Sequence, residues 1–227
     1  MLSIHDEFSP LKRVIIGLGA PFQQDKERAA KEMAQFPLVP ETARKAEVLA
    51  LSYPTEGQLV EEYREFTAVL RKHNIKVLHA DPTVAYSFDY TCPRDIGFVI
   101  GDTFFVSSMA VASRADEIQT ILPHLSGVHP KKIVWAPDDV IIEGGDVLDD
   151  RTILVGIHQR TKEAGFDFLK QQLAHTDYTV IPVRHNRLHL DCCLNPLRLG
   201  HLLIHPDSLE GNEEETWAVL RRLPWIE

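Results

Sequence analysis

The residues most able to do chemistry in this sequence fall in four short stretches: Phe88-Asp-Tyr-Thr-Cys-Pro-Arg-Asp95, Ser113-Arg114, Glu143-Gly-Gly-Asp146 and His189-Leu-Asp191. Together they bring several carboxylates and one histidine. Carboxylates without a metal-ligand spacing suit a planar cation, because each can accept two hydrogen bonds from a guanidinium fork. Two or three of these acids would then bind a substrate guanidinium. His189, beside Asp191, would serve as general acid and base, its imidazole oriented and its pKa raised by neighbouring carboxylates. The glycine pair after Glu143 lets backbone approach a ligand closely while the carboxylate stays at the bend. Each stretch also has a plainer reading: EGGD as a turn, the histidine as a packed core or surface residue, the aspartates as turn formers.

Cys192 and Cys193 follow directly on Asp191, and with His185 and His189 they place four zinc-type ligands within nine residues. The spacing opposes a metal. The segment reads as β-like, where adjacent cysteines point to opposite faces and histidines four apart do not share the face they would share on a helix. The expectation is no metal and no cofactor, with both thiols as small strand side chains and at least one of them buried. On a strand, a cysteine three or four positions from His189 would lie ~10–13 Å away at ~3.3 Å per residue, beyond direct proton transfer.

Around these stretches the chain is 227 residues long with a net charge of -9, its acids scattered and no Pro/Gly/Ser-rich tract to mark a linker. One domain is expected. Nothing suggests a basic track, so nucleic acid and anionic membranes are not expected partners; a small, cationic molecule is, and association with further copies of the chain stays open. The opening MLSIHDEFSPLKRVIIGL lacks a basic leader with an apolar core, no stretch approaches the ~20 apolar residues of a membrane helix, and three cysteines make a poor disulfide framework. A soluble protein of a reducing, cytoplasmic compartment is expected.

The elements that must position these residues follow from apolar periodicity. Lys12 to Leu18 reads as a strand, about Glu41 to His73 as helical with a Thr55/Gln58 capping box, and Ile75 to Ala80 as a strand. From Asp95 the chain repeats a hairpin, a helix and a strand: DIGFVIGDTFFVSS, SRADEIQTILPHL and KKIVWAP, then VLDDRTILVG, QRTKEAGFDFLKQQL opened by Thr161, and YTVIPV. A third copy has CCLNPLRLGHLLIHP and EEETWAVLRRL but no closing strand. Asp95, Asp146 and Asp191 begin the copies, 51 and 45 positions apart. Periods of this length build radial or stacked architectures, in which acids at equivalent strand starts would converge on one axial site.

With these motifs on the page, the sequence resembles the guanidino-group-modifying superfamily of arginine deiminases, dimethylarginine dimethylaminohydrolases and arginine:glycine amidinotransferases over nearly its whole length. CPRDIGFVIGDTFFVSSMAVASR resembles the signature of the amidinotransferase and hydrolase branches, IEGGDVL with TILVGIHQRTKEAG resembles the hydrolase branches, and HLD is similar to the deiminase signature. The resemblance implies an α/β fold, a five-fold pseudosymmetric propeller of ββαβ modules around an axial site, with the last module missing from this chain. It implies that Asp95 and Glu143 grip the guanidinium, that Glu143 also holds His189 as acid and base, and that Asp191 is a second guanidinium ligand. Asp89, Arg114 and Arg160 would meet the substrate's amino-acid end, the two arginines by charge-assisted pairs with its carboxylate. A cysteine near the C-terminus of such proteins attacks the guanidinium carbon to form a thiouronium, which water or an acceptor amine resolves. No cysteine here stands at that position. A truncated chain, a binding remnant without catalysis, and Cys192 or Cys193 acting as nucleophile are the three explanations. Hydrolysis is expected over amidino transfer, with this chain inactive by itself; the alternative is a non-catalytic guanidino-binding or partner-subunit protein.

Overall fold

In the DIGFVIGDTFFVSS stretch, Gly101 takes φ +59°, the left-handed conformation that a tight two-residue hairpin turn requires and that glycine adopts without a steric penalty. The flanking residues pair as expected: β3 (Gly97–Ile100) runs antiparallel to β4 (Thr103–Val106). These assignments come from a computed structural model, which describes residues 2–19, 54–83, 91–148, 152–198 and 201–209. The helical reading over residues 41–53, Asp89, the helix EEETWAVLRRL and the closing PWIE lie outside the described residues.

The chain divides into two compact units: Met1–Pro10 with Arg94–Ala115 and Gly127–Glu227, and Leu11–Pro93 with Asp116–Ser126. In the second, smaller unit, β1 (Arg13–Ile16) pairs in parallel with β2 (Lys76–His79), and α1 (Glu56–Lys72) precedes β2. The capping box opens α1 as its sequence predicts. The Gln58 amide donates to Thr55 Oγ1 at 3.2 Å and the Thr55 amide donates to Gln58 Oε1 at 2.8 Å. The helix ends where Asn74 turns left-handed at φ +60°, a conformation asparagine tolerates better than most residues.

In the first unit the repeat is visible twice. β4 is followed by β5 (Ile133–Trp135), which pairs with it in parallel, giving the sheet order β3-β4-β5. β6 (Val147–Leu148) and β7 (Thr152–Ile157) then form a hairpin, α2 (Glu163–Gln172) crosses over, and β8 (Thr179–Arg184) pairs in parallel with β7 along six residues. β9 (Leu194–Arg198) and β10 (His201–Ile204) form the third hairpin. Each of the first two copies thus has a hairpin whose second strand takes a parallel third strand, and among the described residues no closed barrel of strands is formed.

The core lies between these sheets and α2. Phe98 stacks on Phe105 with ring centroids 5.3 Å apart, and Ile153, Val155 and Leu169 are fully buried in the same cluster. Every residue of β7 is buried, as expected of a central strand covered on both faces.

Two expectations change. SRADEIQTILPHL is not an α-helix but a run of 3-10 turns, Ala112–Thr120 and Leu122–Leu125. Pro123 has no N–H to carry an i→i−4 ladder onward, and bonds such as Ile121 N–H to the Ile118 carbonyl close the tighter i→i−3 turns instead. The opening of α2 also differs: Lys162 is its N-cap residue, while the hydroxyl of Thr161 accepts the Glu143 amide at 3.1 Å. Among the described residues no helix is long and apolar enough to cross a membrane.

Candidate active site

Glu143 enters the site in extended conformation immediately before the short 3-10 turn Gly144–Asp146. Its position is fixed from behind. Thr161 holds its amide, Lys162 donates its amide to the Ile141 carbonyl, and Gly165 sits so close that any Cβ would come 2.4 Å from the Ile141 oxygen. The first turn of α2 is thereby laid against the extended segment that carries the acid.

Both glycines of EGGD are needed for close approach, to the protein's own groups. A Cβ on Gly144 would lie 2.2 Å from the Arg94 carbonyl, and one on Gly145 would lie 2.7 Å from His189 Cγ and 2.9 Å from Asp95 Oδ1. Glycine at 145 lets the imidazole and the Asp95 carboxylate pack on bare backbone.

The resulting cluster is buried: Glu143 is 0%, His189 3% and Asp95 7% exposed. His189 Nε2 lies 2.8 Å from Glu143 Oε2, and its Nδ1 lies 3.8 Å from Asp95 Oδ1. Glu143 Oε1 also accepts the Ala110 amide at 2.8 Å, and Arg160 Nη1 donates to both Glu143 oxygens at 3.0 and 3.2 Å. Arg114 Nη1 donates to Asp95 Oδ2 at 2.8 Å. Burial by itself would lower the His189 pKa, but the hydrogen bond to Glu143 and the charges of Asp95, Asp146 and Glu143 hold it above the ordinary imidazole value. Burial would raise Glu143. The His189 hydrogen bond and the Arg160 charge keep it below the usual carboxylate range instead.

This arrangement can hold a proton on an oriented imidazole and present Nδ1 to a substrate, Nε2 being committed to Glu143. Asp95, Glu143 and His189 also offer ligand atoms within 4.8 Å of one another. That spacing would admit a small cation, but a buried guanidinium on each carboxylate opposes a metal electrostatically.

The pattern has relatives. The family described as N,N dimethylarginine dimethylhydrolase, eukaryotic, matches residues 44–224, most of the sequence. The chain belongs to this family. It therefore lies within the guanidino-group-modifying superfamily. YkgA of Bacillus subtilis (strain 168) is 35% identical over 163 residues, covering 70% of this chain and 54% of YkgA. Arginine deiminase of Rhodococcus erythropolis is 29% identical over 154 residues, covering 59% of this chain and 38% of the deiminase. The chain thus spans about half or less of these relatives' length. Among solved structures, SxtG, an amidinotransferase of Microseira wollei, aligns with a TM-score of 0.73 at 22% identity, covering 93% of this chain and 72% of SxtG. A mutant of the Pseudomonas aeruginosa dimethylarginine dimethylaminohydrolase complexed with citrulline aligns with a TM-score of 0.62 at 17% identity, covering 85% of this chain and 68% of that one. These likenesses show an α/β propeller-type fold.

Three features of the site bear on what its sequence leads one to expect. Arg114 and Arg160, expected on a substrate carboxylate, instead lie on Asp95 and Glu143. Asp191 stands toward the rim, its side chain 30% exposed and 3.8 Å from Arg94 Nε; burial pushes its carboxyl up, with Arg94 opposing. His189 is not on a strand: it is extended, but Leu190–Cys192 is a 3-10 turn whose Cys192 amide returns to the His189 carbonyl. Three residues of 3-10 helix rise only ~6 Å, so the strand-spacing argument that kept the thiols away from His189 does not apply. The thiols are restrained otherwise. Cys193 is buried, its thiol pushed up to about 11 by burial, and burial also raises the more exposed Cys192, reinforced by Asp191.

Sequence reasoning missed the Ala110 amide, Arg94, Glu7 and the partners of Asp146. Arg94 forks onto Glu7 at 3.0 and 3.1 Å and donates to the Val147 carbonyl at 2.8 Å. Arg94 stood inside the CPRD motif and was readable as a candidate. Glu7, 87 positions away, carried no signal.

Proposed function

We propose that this chain is the guanidino-recognising, acid–base portion of a hydrolase acting on arginine or a related guanidino compound, built on a five-module propeller. What carries the reading is the His189 imidazole held between Glu143 and Asp95, with Nε2 bonded at 2.8 Å and Nδ1 3.8 Å from the second acid. Asp95 Oδ1 accepts from the substrate guanidinium, Oδ2 being held by Arg114, and Asp191 is a second acceptor at the rim.

In the proposed reaction a cysteine thiolate adds to the guanidinium carbon, the C–N bond to the departing amine breaks, and protonated His189 gives that amine its proton. The S-alkylthiouronium is then hydrolysed. His189 takes a proton from water, the hydroxyl adds to the same carbon, the thiolate leaves and the hydroxyl's remaining proton passes to solvent, giving a ureido product and protonated His189 again. The raised Cys192 and Cys193 thiols are poor candidates for this nucleophile, so the 227 residues bind without turnover and a chain carrying a further cysteine-bearing module turns over.

Calorimetric titration with arginine and methylarginines tests the reading: binding is expected for the wild type and is weakened by Asp95→Asn. Equal affinities would remove Asp95 from the site. A haloacetamidine is expected to alkylate the chain slowly, and a substrate-derived adduct trapped on Cys192 or Cys193 would overturn the assignment of the nucleophile.

A further inference from the structure

Behind His189 lies a second acid–imidazole pair that the proposed chemistry does not use. Asp146 and His185 are both fully buried, with His185 Nε2 3.0 Å from Asp146 Oδ1. The Arg187 amide donates to His185 Nδ1 at 3.3 Å, which leaves Nε2 as the donor toward the acid. The same Asp146 oxygen accepts the Leu190 amide at 2.8 Å. Asp146 Oδ2 is buried without a hydrogen-bond partner among the described residues, and a buried carboxylate oxygen left so is costly in stability. Strand β7 makes room for the pair at one residue. A Cβ on Gly156 would lie 2.6 Å from Asp146 Oδ1, 2.7 Å from His185 Nε2 and 2.8 Å from Leu190 Cβ.

The chain positions give the pair its meaning. Glu143 precedes one short turn and Asp146 is its last residue, while His189 and Leu190 are consecutive; the first acid takes the ring of His189 and the second takes the amide of the next residue. One hydrogen bond at Nε2 fixes the ring at a single atom and leaves freedom in the backbone that carries it. A second anchor one residue along the backbone removes that freedom.

We propose that Asp146 and His185 are positioning residues for His189: His185 holds the carboxylate oxygen that anchors Leu190, and this anchor sets the angle at which the His189 ring meets Glu143 and Asp95. The inference rests on the reading of His189 as the acid and base of the site. Asp146 faces His189 electrostatically together with Asp95 and Glu143, and Asp191 also lies within electrostatic reach of the imidazole, so the pair also bears on the proton His189 holds.

The test follows the histidine ring signals and amide hydrogen exchange of the 227-residue chain by NMR. In His185→Leu the donor is lost, and the Leu190 amide is expected to exchange about fivefold faster, the loss of one ordinary hydrogen bond, with a displaced His189 titration. His185→Gln, which keeps an N–H donor, is expected to restore both. Asp146→Asn keeps an oxygen for Leu190 but removes the charge, so its Leu190 amide stays protected while the His189 midpoint falls. A folded His185→Leu with wild-type Leu190 exchange and His189 titration overturns the proposal. Should that variant not fold, His185→Phe, which keeps an aromatic ring without a donor, gives the same readouts, and wild-type Leu190 exchange in it overturns the proposal equally. None of these readouts uses a ligand, so they report the positioning of His189 separately from any binding of arginine.

Discussion

The Glu143 cluster and the rim at Glu7, Arg94 and Asp191 use the same residue types, acids against guanidinium groups, in opposite settings. In the cluster the side chains of Glu143, Arg160, Arg114 and Asp95 are 0, 5, 8 and 9% exposed; at the rim Arg94, Asp191 and Glu7 are 40, 30 and 21% exposed. A buried charge whose partner is removed keeps its desolvation penalty, whereas a half-exposed one is rescued by water. The cluster is therefore a fixed frame, and the rim is the part that can yield to a ligand. The rim lines an open pocket of about 150 Å³ together with Leu148, Asn195 and Pro196.

The harshest way to break this contrast is Glu143→Ala, which strands Arg160, the Ala110 amide and His189 in the interior. A loss of about 3–5 kcal/mol is expected, read from the urea midpoint. A loss under about 1 kcal/mol would show that the cluster is as wet as the rim.

Next comes pH. The His189 pKa is raised on folding, so its contribution is full below the unfolded value near 6.5 and is lost as pH rises through the folded value above it. That of Glu143 is lowered, so its contribution is full above about 4.5 and is lost as pH falls through the folded value below it. Stability from the pair is expected to peak between these limits, and Glu143→Gln should flatten the profile. A profile unchanged by that substitution would exclude the pair as its source.

At the rim, Arg94→Met is expected to lower stability by less than about 1 kcal/mol, while the Asp191 carboxyl, which Arg94 holds down, titrates at still higher pH in carboxyl NMR. A downward move would show that Arg94 does not act on Asp191. The smallest effect belongs to Cys192→Ser, expected within about 0.5 kcal/mol of wild type as a surface change. A larger loss by thermal denaturation would show that the exposed thiol packs as its buried neighbour does.

Elements with a strong local signal are legible in the residues themselves: the Thr55 capping box, the Gly101 hairpin, and the hairpin and parallel strand of the second copy. SRADEIQTILPHL is not, because its helical composition competes with a proline whose effect depends on where the turn must end. The residue types of the site are legible in the same way as the strong elements. Glu143 and His189 stand out by chemistry, although they are 46 positions apart.

What the sequence determined by itself is the inventory: acids and a histidine in fixed order, and two glycines where backbone must be approached. Partnership was decided only by the tertiary structure. Whether Arg114 and Arg160 face a substrate or the site's own acids, whether Asp146 joins the site or supports it through His185, and whether Glu7 reaches Arg94 are questions of burial. An ion pair in the interior is selected by which groups lose water together, and loss of water is a property of three-dimensional packing that no local spacing records.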